Sequence, residues 1–263
     1  MIDGDSYQSY YEQDPPIEAM FGLDSKWVVD TLLDRSAPES GIVETNGSGE
    51  GRFSAMAKQT DIQVLLVRSG RTSWDESGRL SGRCDHPLTE EGRAGVEAEL
   101  DAVEGPVKLG LILCSADEAS MDTAGVLSSR CSGRVKVVDG IAEMHLGLWE
   151  GLLLGDLEEK YPKAYRQWIE DPGTVNIPDA ESLGEAQERI VSALAKTLAK
   201  VRDEDEPVGV VLRPVAFGLV QAWLTGQGST ALWSIVQDGP RLIRHAVPRA
   251  LVKEARERSR AGL

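Results

Sequence analysis

The stretch that most constrains this chain is Val64 to Trp74, VLLVRSGRTSW. Ile62, Val64, Leu65, Leu66 and Val67 make an apolar run that reads as a buried strand. Arg68, Ser69 and Gly70 then fall where that strand leaves its sheet, which is where open α/β sheets bind ligands. The rest of the chain has to supply the sheet.

From Asp61 onward it does so by alternation. Candidate strands are Ile62–Arg68, Leu109–Cys114, Val135–Val138 and Val208–Leu212, with helices beginning near Thr89, Ala116, Gly184 and Val215. Strand then helix, repeated, predicts a three-layer α/β domain with a mostly parallel sheet and helices on both faces. The helix from Gly184 carries Ile190, Val191, Leu194, Leu198 and Val201 on one face, a core stripe. A last pair of strands is expected at Ala231–Val236 and Leu242–Val247, around the turn Asp238-Gly239-Pro240.

Residues 1–60 differ in character. They hold eleven acids and four bases, a net charge of −7 out of −15 for the 263-residue chain. Asp24 caps a short amphipathic stretch in which Leu23, Trp27, Val28 and Leu32 share a side, and the composition from Ser36 to Gly51 is that of a flexible linker. The stretch either packs on its own domain or docks on a protein partner. The organisation read from the sequence is an acidic extension over 1–60, a domain over 61–255 and a tail over 256–263.

Charge and composition exclude several classes of function. A net charge of −15 repels nucleic acid and anionic lipid, and no run approaches the ~18 apolar residues of a membrane span. No basic start followed by an apolar stretch marks a secretory signal, so a cytoplasmic protein is expected. Cys84, Cys114 and Cys131 are odd in number and lack C-x-x-C spacing, which fits reduced thiols and no metal site. His86, His145 and His245 are the only histidines, with no ligand pair among them, and no cofactor is expected.

Four segments carry a family resemblance. Val67 to Gly92 reads V-R-S-G-R-T-x-W-x-x-x-G-R-x-x-G-x-x-D-x-P-L-T-x-x-G, and Cys114 to Ala124 reads CSADEASMDTA. Ile141 to Gly151 reads IAEMHLGLWEG, and Val210 to Val215 reads VVLRPV at the end of the last parallel strand. Together with Tyr161-Pro162, Trp168, Asp171-Pro172, Ala180-Glu181-Ser182-Leu183 and Arg189, these resemble the histidine phosphatase superfamily, the phosphoglycerate-mutase-like proteins, over residues 61 to about 255.

The resemblance implies a phosphoryl transfer through a phosphohistidine, and it assigns residues to that chemistry. Arg68 and Gly70 match the family's phosphate-binding Arg and the Gly beside it, and Glu143 matches its general acid. Ser69 stands where the family has its nucleophilic His, Asp75 where it offers an Asn amide, Ala119 where it has a second Arg, and Arg213-Pro214 where it has a second His and a Gly. In a serine protease, loss of the nucleophile alone costs about 10⁶ in turnover, about 8 kcal/mol of barrier. With four parts replaced, the reading is a degenerate member that binds or scaffolds. Its vestigial site is Arg68, Ser69, Glu143 and Arg213, and a small anion or phosphorylated metabolite would be held by Arg68, Gly70, Asp75 and Arg213.

The alternative is a phosphatase or phosphomutase of altered site, acting on a phosphorylated small molecule, with Ser69 as nucleophile and Glu143 as base. Without a ligand, the expected arrangement is internal pairing of Arg68 and Arg213 with Glu143 and Asp75. Cys114, at a strand end, reads as an apolar filler; His145 and the Asp85-His86 pair read as structural.

Overall fold

The computed structural model describes residues 61–261 apart from 104, 106, 203 and 204. The apolar stretch with Leu23, Trp27, Val28 and Leu32, and the acidic extension as a whole, lie outside the described residues.

Five strands make one sheet: β1 (Ile62–Arg68), β2 (Leu111–Cys114), β3 (Arg134–Val137), β4 (Val208–Leu212) and β5 (Leu242–Val247), in the order β3-β2-β4-β1-β5. β1, β2, β3 and β4 run parallel, and β5 pairs antiparallel with β1. β4 is buried at all five positions, as a central strand covered on both faces must be. Gly209 within it is set by packing: a Cβ there would come 2.9 Å from Leu109 Cδ1.

Helices cover both faces. On one lie α2 (Glu90–Asp101) and α3 (Glu118–Cys131), packing Val96, Leu100, Ala124 and Leu127 against Leu65, Val67, Ile112 and Val211. On the other lie α4 (Leu154–Lys160), α5 (Pro162–Glu170), α6 (Leu183–Leu198), α7 (Pro214–Thr225), α8 (Leu232–Gln237) and α9 (Arg249–Ala261). α1 (Ser73–Glu76) is a single turn just beyond β1. Trp168 meets Trp149 and Trp233 edge to face, with ring centroids 5.8 and 5.0 Å apart. Such pairs contribute about 1 kcal/mol each beyond their burial.

The helix starts follow from caps legible in the sequence. Thr89 caps α2 through the Gly92 amide, Asp117 caps α3 through Ser120, and Ser182 and Glu185 form a capping box on α6. Pro214 occupies the first position of α7, where its missing N–H costs nothing. The α6 stripe packs as expected, with Ile190, Leu194 and Leu198 buried and Val191 and Val201 against the same core.

Two expectations fail. Ala231–Val236 is no strand: a short 3₁₀ turn (Ser229–Ala231) leads into helix α8. Leu232, Trp233 and Val236 fall on one helical side and close over Gly218 of α7, where a Cβ would sit 2.4 Å from Leu232 Cδ1. Trp233 also donates its indole N–H to the Trp168 carbonyl, a bond that fixes its orientation. The second failure is the tail expected from 256. Helix α9 continues to Ala261, and Ser259 bonds Ser192 of α6 at 2.6 Å, so the chain stays packed past 255.

Candidate functional site

β1 and β4 run parallel with Arg68 opposite Leu212, and the Ser69 amide donates to the Leu212 carbonyl at 2.8 Å. This register puts Ser69 and Arg213 side by side where both strands end. Ser69 is 2% exposed and Arg213 3%. No described protein atom partners Ser69 Oγ or Arg213 Nη1.

The turn after β1 is held tightly. Gly70 donates its N–H to Thr123 Oγ1 of α3 at 3.0 Å, so that amide is committed to the fold. A Cβ on Gly70 would come 2.8 Å from the Gly92 carbonyl, and one on Gly92 would come 2.2 Å from the Arg71 carbonyl. These two glycines let the turn lie directly on the start of α2. Arg241, which precedes β5, donates from Nη2 to the Ser69 carbonyl at 2.8 Å and pairs through Nε with Glu99 Oε1 at 2.8 Å.

Arg68 does not reach across to Glu143. Its Nη1 donates to the Val236 carbonyl in the last turn of α8, where a cation also meets the negative end of the helix. Burial lowers its pKa to about 9, helped by the charge of Arg241 and opposed by Glu99 and Asp75.

Asp75 closes α1 and holds Arg213. Its Oδ2 accepts from the Thr72 amide at 2.8 Å and from Thr72 Oγ1 at 2.7 Å, while Oδ1 accepts from Ser81 Oγ at 3.1 Å and from Arg213 Nη2 at 3.3 Å. The expected pairing of Arg213 with an acidic neighbour is therefore present, with Asp75 as the partner.

Glu143, 5% exposed, sits at the N-terminus of α7. Oε1 accepts from the amides of Met144 and Ala216 at 2.7 and 2.9 Å, and Oε2 accepts from Val215 at 2.8 Å. Arg213, the N-cap residue, makes no side-chain cap, so Glu143 satisfies the orphan amides of the first turn instead. Burial pushes its carboxyl up to about 7, against the pull of the three amides and of Arg213. Its own carbonyl accepts from Arg83 and Arg189, each at 3.1 Å. Arg189 also takes the carbonyls of Gly140 and Ala142 and both oxygens of Glu181, fixing the loop that carries Glu143.

The start of α3 is acidic, as the sequence implied, and it is self-satisfied. Asp117 Oδ1 accepts from Ser120 N at 3.0 Å, Asp85 Oδ1 from Glu118 N at 2.6 Å, and Asp122 Oδ2 from Leu88 N at 3.3 Å. Ala119, in place of a second arginine, is buried. The histidines are engaged elsewhere: His86 lies against Trp74 with centroids 4.3 Å apart, His145 Nε2 is 3.9 Å from Glu150 Oε1, and His245 Nε2 bonds Gln221 at 2.7 Å. Cys114 is buried at 3.5 Å from Met121 Sδ, and burial, with Asp117, pushes its thiol up to about 11. That is a filler, not a nucleophile.

Sequence reasoning thus placed Arg68, Ser69, Gly70, Asp75, Glu143 and Arg213 at neighbouring strand ends and turns. It missed Arg241, Glu99 and Arg83. A charged residue just before an edge strand, such as Arg241, was the only available signal.

This is a mostly parallel α/β domain covered on both faces, whose polar side chains converge where its central strands end. The sequence signature of the histidine phosphatase superfamily (branch 1) matches residues 64–245, and the chain belongs to that superfamily. It is 29% identical over 178 residues to phosphoserine phosphatase 1 of Hydrogenobacter thermophilus, covering 67% of this chain and 82% of that one. It is 30% identical over 139 residues to a probable phosphoglycerate mutase of Salmonella arizonae, covering 52% of this chain and 63% of that protein. Among solved structures, mycobacterial hydrolase 1 superposes with a TM-score of 0.59 at 26% identity, covering 66% of this chain and 83% of that one. Among the described residues, no helix is long and apolar enough to cross a membrane.

Proposed function

We propose that this protein has left phosphohistidine catalysis and works as a binding or scaffolding member of its superfamily. One observation carries the reading: Glu143, on the family's general-acid position, has both oxygens taken by the amides of Met144, Val215 and Ala216. An acid that must deliver a proton to a leaving alcohol cannot also be the cap of a helix without giving up those bonds. Ser69 on the nucleophile's position and the Arg213–Asp75 pair on two further positions point the same way.

The experiment is steady-state phosphate release from the full chain, with phosphoserine and other phosphomonoesters as substrates and a search for acid-labile phosphoprotein. Release at ordinary phosphatase rates would overturn the reading. If residues 1–60 supply the docking element, deleting residues 1–55 removes association with the protein partner while the domain stays folded; an unchanged oligomer and partner set sinks that part.

A second reading, an altered phosphatase or phosphomutase, is favoured by the phosphatase and mutase relatives and by a Glu143 carboxyl near pH 7, the range that suits a general acid. It predicts turnover that falls sharply in Glu143→Ala and Arg68→Ala.

A further inference from the structure

Helix α9 runs against the charge of the chain. It has five bases (Arg249, Lys253, Arg256, Arg258 and Arg260) against two acids (Glu254 and Glu257), a net +3 in a chain of −15. Arg249, Lys253, Arg256 and Arg260 recur at i, i+4, i+7 and i+11 and so share one stripe, while Val252 and Ala255 are buried and Ser259 turns to Ser192 of α6. Little in the domain answers this stripe. Glu254 is taken by Arg258 at 2.7 Å, Glu257 lies 3.9 Å from Lys253, and Arg256 and Arg260 meet no carboxylate among the described residues. Lys196 in the last turn of α6 and Lys200 just past it, on the helix that α9 packs against, are exposed as well. The helix dipole favours the bases at the end of α9, Arg258 and Arg260, and not those before them.

We propose that this basic face is the seat of the chain's own acidic extension, residues 1–35. That segment holds eight acids and two bases, a net −6, so the charges are complementary. Its tether leads to the same place. Ile62 pairs with Val247 across the β1–β5 ladder, two residues before Arg249, so the chain enters the domain beside the first turn of α9. The helix is about 20 Å long. A tether of linker composition running from Arg35 to Asp61 has a mean span of about 25–30 Å. Reach and distance match, the condition under which a tethered segment attains its highest effective concentration, in the mM range. Exposed ion pairs that contribute little singly then act together, without the cost of bringing in a second molecule.

The seat calls on carboxylates, and not on the apolar positions Leu23, Trp27, Val28 and Leu32 that docking on a partner would use. It is also independent of whether the domain cleaves phosphate.

The test is carbodiimide cross-linking of the full chain, which joins a lysine amine to a carboxylate in contact with it, read by peptide mass. An equal mixture of unlabelled and heavy-nitrogen-labelled protein tells links within one chain from links between two. Amides from Lys253, Lys196 or Lys200 to acids of residues 1–35, with both halves from one isotope, are expected at physiological salt. They should fall about fivefold at roughly 1 M salt, where the screening length shortens to about 3 Å. Lys136, exposed on β3 at the opposite edge of the sheet from β5, is the comparator and should carry about fivefold fewer links than Lys253. Arg256→Gln with Arg260→Gln breaks no ion pair to a described carboxylate and should lower the yield at Lys253 about threefold, with Lys136 unchanged.

Links of mixed isotope place the extension on a second copy and overturn the proposal. Equal yields at Lys253 and Lys136, or a yield at Lys253 that salt leaves unchanged, overturn it too, as does an unchanged yield in the folded double variant. If the double variant fails to fold, the salt series and the Lys136 comparison decide.

Discussion

Replacing Glu143 by Gln tests what holds the start of α7. Glu143 has a buried carboxyl with three backbone donors, and its folded pKa is about 7 against an ordinary value of 4.5, with burial as the leading cause. A group whose folded pKa is raised stabilises the fold fully below its unfolded pKa, and this contribution is lost as pH rises through the folded one. Here the loss runs from pH 4.5 to about 7, at about 1.4 kcal/mol per pH unit, and totals about 3 kcal/mol. The side-chain amide of the Glu143→Gln variant does not titrate. Its carbonyl oxygen can take over the Oε1 bonds from Met144 and Ala216, while its NH₂, which unlike the hydroxyl oxygen of a protonated Glu143 cannot accept, leaves the Val215 amide unmet. The natural protein should therefore be the more stable near pH 4.5 by the cost of that unmet amide, about 1–3 kcal/mol, and the balance should shift by about 3 kcal/mol toward the variant by pH 8. Urea unfolding of both proteins in half-unit steps from pH 4.5 to 8 measures the difference. A difference that stays flat, or that grows in favour of the natural protein with rising pH, would refute the argument. It would mean that the three amides and Arg213 outweigh desolvation and that Glu143 is held ionised.

Asp75→Ala strips the partner from Arg213, 3% exposed, and dismantles the α1 capping box; the two losses together should cost roughly 3 kcal/mol or more in urea unfolding. Gly92→Ala forces a Cβ to 2.2 Å from the Arg71 carbonyl and should lower the melting temperature. Gly95→Ala in the same helix meets nothing within 4 Å and should raise stability by up to about 1 kcal/mol. Alkylation of the native protein at pH 8, read by peptide mass, should mark half-buried Cys84 well before Cys114, whose buried thiol is pushed up to about 11.

The sheet could be read from the sequence because its central strands carry a strong apolar signal. β1 and β4 have the bounds their apolar runs predict: β4 is buried at every position, and β1 departs from the pattern only at exposed Gln63 and half-buried Arg68. Ala231–Val236 could not be decided that way: a short, mostly apolar run suits a strand or a buried helical turn, and only the fit of Leu232 and Val236 over Gly218 selects the helix. The site was legible by position and not by partner. Arg213 and Asp75 are 138 residues apart, and Arg241 and Ser69 are 172 apart, so nothing local announces either contact. Likewise, the motif around Glu143 matches it to the family's general acid, yet its bonds to Val215 and Ala216 depend on where α7 begins in space.

The distribution of these contacts determines what a single reversion can do. Ser69→His would restore the family's nucleophile in name, at a position 2% exposed where neighbouring atoms leave little room for an imidazole. Even if the ring were accommodated, its phosphate would meet Asp75 in place of a neutral amide donor and Ala119 in place of a second arginine. Its general acid would still be bonded to α7 by three amides. The altered positions lie on different elements, Asp75 on α1, Ala119 on α3 and Arg213 at the end of β4, and the matching Glu143 lies on the loop before α4. Residues that act as a unit in catalysis are strongly non-additive, so repairing one part recovers almost none of the rate. Ser69→His, incubated with a phosphomonoester and analysed for acid-labile phosphate on the protein, should therefore carry none. A stoichiometric phosphohistidine in this single variant would refute that expectation and show that the contacts of Asp75, Glu143 and Arg213 are compatible with transfer.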